Sequence, residues 1–310
     1  MDGNTSCAAN GKLSASHNAI ALDITRAKAT LSSKFLEIAM RLALSVFATS
    51  FAILTSSATL GHEFWIEPKE FQVENGENIV GDLINGQNFD GVKLSFFEKR
   101  FRLFDLSVDG TTQPVAGRTG DRPALNVTAP EDGLHVFSYV STDSRVKYEE
   151  WDKWLAFADH KKFDDVATRH AARDLPLTNF WEAYSRFAKS VVAVGSGEGA
   201  DQALGLEIEF VMLTNPYVDQ SDTVQVRLLY QGSPRPDAQI ELFTKAPDGT
   251  VTIELYKTDN DGVGTLPVKP GYRYLADNVV LREPSAELAA EKDAVWETVW
   301  ASLTWAMPAE

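Results

Sequence analysis

The chain has almost no cysteine: among 310 residues only Cys7 carries a thiol. A disulfide within the chain, a Cys-ligated zinc site and a thiolate nucleophile beyond that position are therefore excluded. Basic residues are also scarce, with 29 Lys and Arg against 44 Asp and Glu and a formal net charge of −15. Nucleic acid and anionic lipid both require a basic footprint, so neither is an expected partner. Long apolar runs are missing too. The run from Leu42 to Leu54 has 13 residues, short of the ~17–25 that a helix needs to span a bilayer. No phosphate-cradling glycine loop, nucleophile elbow or zinc-protease helix motif occurs. A hydrolase reading has no residues to rest on, and a non-enzymatic protein is expected.

What is present starts at Met40. Met40-Arg41, the apolar run and the small residues that follow it have the layout of a secretory signal over residues 40–61, with 1–39 as an N-terminal extension. Two cleavage points fit. Ser56-Ser-Ala58 gives a cut after Ala58, and Thr59-Leu-Gly61 gives a cut that makes His62 the first residue. Removal of residues 1–61 takes Cys7 away and leaves 24 basic and 41 acidic side chains, near −17. At 44% apolar and 24% charged, the remainder has the composition of a globular protein with room for one large or two ordinary domains.

From Phe64 to Thr142 short alternating or apolar runs (Ile79–Ile84, Val92–Phe97, Phe101–Leu106, His135–Val140) are separated by Asn75-Gly76, Asn85-Gly86, Asp109-Gly110 and Asp132-Gly133. That is a hairpin-linked antiparallel pattern. Between residues 146 and 194 the spacing changes. Trp151, Trp154, Leu155 and Ala158, then Phe180, Trp181, Tyr184, Phe187 and Val191, recur at helical intervals, and Gly195-Ser-Gly-Glu-Gly199 reads as a flexible joint. From Leu206 the strand pattern returns through Thr223–Tyr230, Ala238–Thr244, Thr250–Tyr256, Tyr272–Leu281 and Thr298–Met307. The expected fold is mainly β: two antiparallel β-sandwich domains, residues 62–199 and 200–310, the first carrying a helical insertion over residues 146–194.

Several stretches in their order are more specific. Gly232-Ser-Pro-Arg-Pro-Asp-Ala-Gln-Ile-Glu-Leu-Phe243, Thr258-Asp-Asn-Asp-Gly262 and Pro270-Gly-Tyr-Arg-Tyr274 resemble a transthyretin-like or carboxypeptidase-regulatory sandwich. Together with His62-Glu-Phe-Trp-Ile-Glu-Pro68, Tyr184-Ser-Arg-Phe-Ala-Lys189 and Leu213-Thr-Asn-Pro216, the chain over roughly 62–306 resembles the DUF4198 family. The resemblance implies an exported bacterial protein of the periplasm, of the kind described as a component of cobalt or nickel uptake. Its partners would be a metal ion and an inner- or outer-membrane metal transporter.

Against that expectation the histidines matter. A first-residue His62 offers its α-amino group and imidazole as a chelate for Ni, Co, Cu or Zn. Two ligands need a third, and Glu63, Glu67 and the strand residue His135 are the candidates; the metal set is His62, Glu63 and His135. His160 and His170, among Lys161, Lys162, Arg169 and Arg173, read as solvated surface residues. Glu207 and Glu209, two apart on one strand, read as its solvent face. Asp259-Asn-Asp-Gly262 lacks the acidic twelfth position of a calcium loop, where Pro270 stands, and reads as a turn. The stripe Trp296, Trp300 and Trp305 supports an alternative function, a surface carbohydrate- or protein-binding module, unless those rings are core.

Overall fold

The computed structural model describes residues 63–129, 131–219 and 221–309. The first part of the chain forms β1 (Glu63–Pro68), β2 (Gln72–Val73), β3 (Asn78–Gln87), β4 (Asp90–Leu94), β5 (Phe101–Val108), β6 (Thr111–Pro114), β7 (Leu125–Thr128), β8 (Gly133–Ser141) and β9 (Ser144–Tyr148). Helices α1 (Trp151–His160) and α2 (Val166–Ala172) follow, and then the long strand β10 (Phe180–Val194). Next come β11 (Ile208–Met212), β12 (Thr223–Tyr230), β13 (Ser233–Pro234), β14 (Gln239–Lys245), β15 (Val251–Lys257), β16 (Val263–Pro267) and β17 (Arg273–Arg282). Helix α3 (Ala286–Lys292) leads into β18 (Ala294–Ala306). The protein is thus mainly β with several antiparallel sheets. Among the described residues no helix is long and apolar enough to cross a membrane.

A ten-stranded sheet dominates, in the order β15-β14-β17-β18-β10-β8-β5-β6, with β2 and β9 also paired to β10. Its centre is the parallel pair β10 and β18, running from Trp181↔Ala294 to Ser190↔Thr304. Alternation along β18 shows how the layers are built. Val299, Ala301, Leu303 and Trp305 point to one face, where Ile208, Phe210, Val226 and Leu228 from the sheet β11-β12-β13 and β16 complete a core. Trp296 and Trp300 point to the other face and meet Trp154 and Phe157 of α1. On that same face Ser302 and Thr304 donate side-chain hydrogen bonds to the carbonyls of Phe64 (2.7 Å) and Ile66 (2.6 Å), fastening β1 of the third sheet. That sheet (β1-β3-β4, with β7 on β3) packs Phe64, Ile66, Ile79 and Leu83 against Phe104, Phe137 and Val192.

Three expectations need correction. The helix expected over Phe180–Val192 is a 15-residue strand. Covered on both faces, it has no polar alternation, and its aromatics happen to fall at intervals that imitate a helical turn. Only α1 and α2 remain of the helical insertion. A boundary after Gly199 would run through the shared sheet, since β10 lies on one side of it and β18 on the other. Gly195–Gly199 is a pinned turn: Asn215 Nδ2 donates to the Gly197 and Gly199 carbonyls (2.8 and 3.0 Å), and Glu198 O accepts from Leu134 N. Asn85-Gly86 is no turn but lies within β3; the reversal occurs at Asn88 and Phe89, both left-handed (φ 55° and 57°). Gly86 is required there by close packing, because a Cβ would lie 2.0 Å from the Asp90 carbonyl oxygen. Asp109-Gly110 does form the expected β5–β6 reversal, with both residues at positive φ.

Candidate functional site: a buried carboxylate cluster around Lys161

Helix α1 buries Trp154, Phe157 and Ala158, and the next position on that stripe is Lys161. Its backbone N–H still bonds the Phe157 carbonyl (3.0 Å), so the ammonium is carried inward with the apolar face. It meets three carboxylates from distant parts of the chain. Lys161 Nζ donates to Glu241 Oε2 at 2.9 Å and to Asp277 Oδ2 at 3.1 Å, and reaches Glu63 Oε1 at 3.5 Å. Glu241 and Asp277 are register partners on β14 and β17, and Asp277 pairs with Ser302, whose hydroxyl holds the strand that begins with Glu63. All four residues are buried. One ligand oxygen from each of Glu63, Glu241 and Asp277 lies within 4.8 Å of the others, and among the described residues no other His, Cys, Asp or Glu group is so gathered.

The surroundings set the charge state. Burial pushes the Glu63 carboxyl up to about 7, with Asp277 and Glu241 adding to the rise and Lys161 opposing it. Burial also raises Asp277. Burial acts to raise Glu241 as well, but hydrogen bonds from His160 and the nearby Lys161 bring it below its ordinary value. Desolvation alone would lower Lys161, yet Asp277, Glu241 and Glu63 together hold its ammonium well above the usual range. A Schiff-base or nucleophilic lysine needs the reverse shift. Two cations lie over the Trp300 ring, Lys161 Nζ 4.8 Å and the Arg186 guanidinium 3.9 Å from its centroid.

Other sequence-level candidates fall as follows. His62 lies outside the described residues. Glu63, next to it in sequence, is in the cluster, whereas Glu67 accepts from Trp65 Nε1 (3.0 Å). His135 is fully buried on β8 between Val108 and Val192, with Nδ1 3.2 Å from the Gly133 carbonyl, and belongs to no gathered ligand group. His160 and His170 are not a solvated pair. His160 Nε2 stands 3.4 Å from Glu241 Oε1 at the edge of the cluster, half exposed, and this contact raises its pKa. His170 is fully buried, accepting from Trp296 Nε1 (3.0 Å) through Nδ1 and donating through Nε2 to the Pro176 carbonyl (3.1 Å). Glu209 is also buried, not on a solvent face. Trp296, Trp300 and Trp305 are 0–2% exposed, which removes the open aromatic platform a carbohydrate module would use. Asp259 Oδ1 accepts the N–H groups of Asp261 and Val263, a turn.

The donor set fits a cation in kind. Three carboxylates are hard ligands suited to Mg, Ca or Mn, and the imidazole of His160 adds a donor that Ni, Co, Cu and Zn favour. Glu63 Oε2 has no hydrogen-bond partner although the residue is only 4% exposed, so one buried ligand atom is spare. The central place is held by the Lys161 ammonium, and a metal ion fits only where that ammonium gives way.

The fold and site define a β-rich protein with a buried carboxylate cluster around one lysine ammonium. Residues 59–279 match the family described as "Domain of unknown function (DUF4198)", and the chain belongs to that family. No curated protein matches it. Among solved structures it is similar to the D0-D1 domain of intimin, at 12% identity over 79% of this chain and 97% of that one, with a TM-score of 0.19. It is also similar to a tetra-tandem repeat in the extending region of a large adhesion protein, at 10% identity over 79% and 49% of the two chains, with a TM-score of 0.17. Similarities at that level carry no argument about function.

Proposed function

We propose that this protein is an exported, non-enzymatic accessory protein that binds a divalent transition metal (Ni, Co, Cu or Zn) in the periplasm and delivers it to a membrane transporter. The observation that carries the reading is the convergence of Glu63, Glu241 and Asp277 on one cation position with His160 at its rim. The next residue before Glu63 in sequence is His62, so a cut after Gly61 would bring an amine and an imidazole one residue from the cluster. Relative to the expectation from sequence, His160, Glu241 and Asp277 replace His135 as partners of the N-terminal chelate. A binding protein needs ligands and a route for exchange, not a reactive group, and exchange here requires the Lys161 ammonium to leave the cluster. The signal-like residues 40–61 support export.

The test is calorimetric titration of the exported, processed protein with Ni(II), Co(II), Cu(II) and Zn(II), after intact-mass measurement of its first residue. Asp277→Asn and His160→Gln should each weaken binding at least tenfold, and His62→Ala should do so if the mature chain begins at His62. Absence of binding to the processed wild type overturns the proposal.

A further inference from the structure

Beside the cluster lies a cavity of about 580 Å³, a size suited to a small organic ligand. Glu241 and Asp277 form part of its wall, and Arg235, Lys162, Asp164 and Tyr256 are further lining residues. Arg235 is rigidly placed. Its N–H bonds the Leu228 carbonyl (3.0 Å), its carbonyl accepts from Thr258 Oγ1 (2.7 Å), and its Nη1 donates to Asn278 Oδ1 (2.6 Å). Asn278 Nδ2 in turn donates to the Gln239 carbonyl (2.6 Å), and Gln239 Nε2 to Glu241 Oε1 (3.2 Å). A polar chain thus runs along the wall from the guanidinium to the carboxylate cluster.

Arg235 is partly desolvated, and burial depresses its pKa, yet among the described residues it has no carboxylate partner. A guanidinium placed in this way presents a planar fork of donors whose matching partner is a carboxylate. The wall as a whole is balanced, with four cationic side chains and four carboxylates. Lys161 already satisfies Glu241 and Asp277, and Lys257 pairs with Asp237 at 2.7 Å. What remains for a ligand is the Arg235 fork, the Lys162 ammonium (4.0 Å from Asp159) and the Asp164 carboxylate. A purely anionic molecule would gain from the two cations and be repelled by Asp164, and a purely cationic one the reverse. A molecule carrying both charges satisfies both. Phe163, Leu255 and Val279 give the cavity an apolar portion as well.

We propose that this cavity binds a free α-amino acid, its carboxylate on the Arg235 fork and its ammonium toward Asp164, with the side chain against the apolar portion. This inference goes beyond the metal-binding reading and does not depend on it, because none of these contacts requires a metal ion. The full exported chain, stripped of divalent cations, is screened by thermal shift against the twenty amino acids. Each one that raises the melting temperature is then titrated beside its matched deaminated acid and decarboxylated amine. At least one amino acid should bind, with both matched analogues at least tenfold weaker. Arg235→Gln should weaken binding at least tenfold, Arg235→Lys less because it keeps the charge and loses the fork, and Asp164→Asn, at an exposed position, at least threefold. The proposal is overturned if no amino acid shifts melting, if an analogue lacking either charge binds as well as its amino acid, or if Asp164→Asn and a folded Arg235 variant both bind undiminished. Since the screen contains no metal, its outcome is read separately from the titrations with Ni(II), Co(II), Cu(II) and Zn(II).

Discussion

Among the described residues two lysines are buried, and they do different things. Lys189, on β10, bonds both oxygens of Asp201 (2.8 and 2.9 Å), the Gln202 carbonyl (3.1 Å) and Glu209 (3.4 Å). Its carboxylates are otherwise occupied by backbone. Glu209 accepts the N–H groups of Leu204, Gly205 and Leu206, and Asp201 those of Gln202 and Met212. Every acceptor there has an internal donor, so the network ties the 201–206 loop to β10 and β11 and leaves no capacity for a ligand. Lys161 faces three carboxylates rather than two, with one oxygen unpartnered, a histidine at the edge and a cavity alongside. A buried charge that is saturated locally is structure; one with acceptors to spare is a candidate site.

The comparison can be broken by experiment. The largest effect is expected at Lys189→Met. Removing one member of a saturated buried network strands its carboxylates and should cost about 3–5 kcal/mol in denaturant unfolding, with metal binding unchanged in whatever remains folded. Close behind is a buried acid without a lysine. Glu182 accepts from Thr298, faces Tyr148 and Arg186, and burial pushes its carboxyl up to about 7. Because the folded protein holds this proton more tightly than the unfolded chain, its contribution is complete below about pH 4.5 and is lost as pH rises to about 7. Glu182→Gln should therefore match the wild type in acid and exceed it by up to about 3 kcal/mol at pH 8. Urea midpoints across that range decide the point, and a variant that is less stable at pH 8 contradicts the assignment.

Lys161→Met should cost less than Lys189→Met, about 1–2 kcal/mol, because Glu63, already poised near neutrality, can retain its proton and relieve the repulsion. The same variant should bind divalent cations at least tenfold more tightly than the wild type, since the competing ammonium is gone. If titration finds no gain, the two lysines are equivalent and the site reading of the cluster falls. At the small end is Lys257→Met. That lysine pairs with Asp237 at 2.7 Å, but both side chains are mostly exposed, and melting should not change measurably.

The strands that cover only one core announced themselves by alternation. Val224, Val226 and Leu228 are buried on β12 between less buried neighbours, and the sequence pattern there is plain. β10 did not, because it lies under layers on both faces and places Glu182, Ser185, Arg186 and Lys189 in buried networks where polarity no longer marks solvent. The cluster was illegible for a related reason. Lys161 stands 98, 80 and 116 positions from Glu63, Glu241 and Asp277, and each looks like an ordinary surface charge in its own segment. Only Glu63 was within reach of sequence reasoning, through its position beside His62. One signal for it does exist in the sequence: Lys161 continues the spacing of Trp154, Phe157 and Ala158, so an inward-facing α1 carries it into the core.

The parallel pairing of β10 with β18 also sets an order of events. Over Trp181–Ser190 strand β10 has its companion on that edge only when β18 arrives, after β11 to β17 have been threaded past; β2 covers only Ala193 and Val194. A chain emerging from a ribosome with its N-terminus first therefore carries that edge of β10 open until the late strand comes through. During that interval the unpaired edge is open to pairing with neighbouring chains, the hazard that late, non-local strand pairing carries.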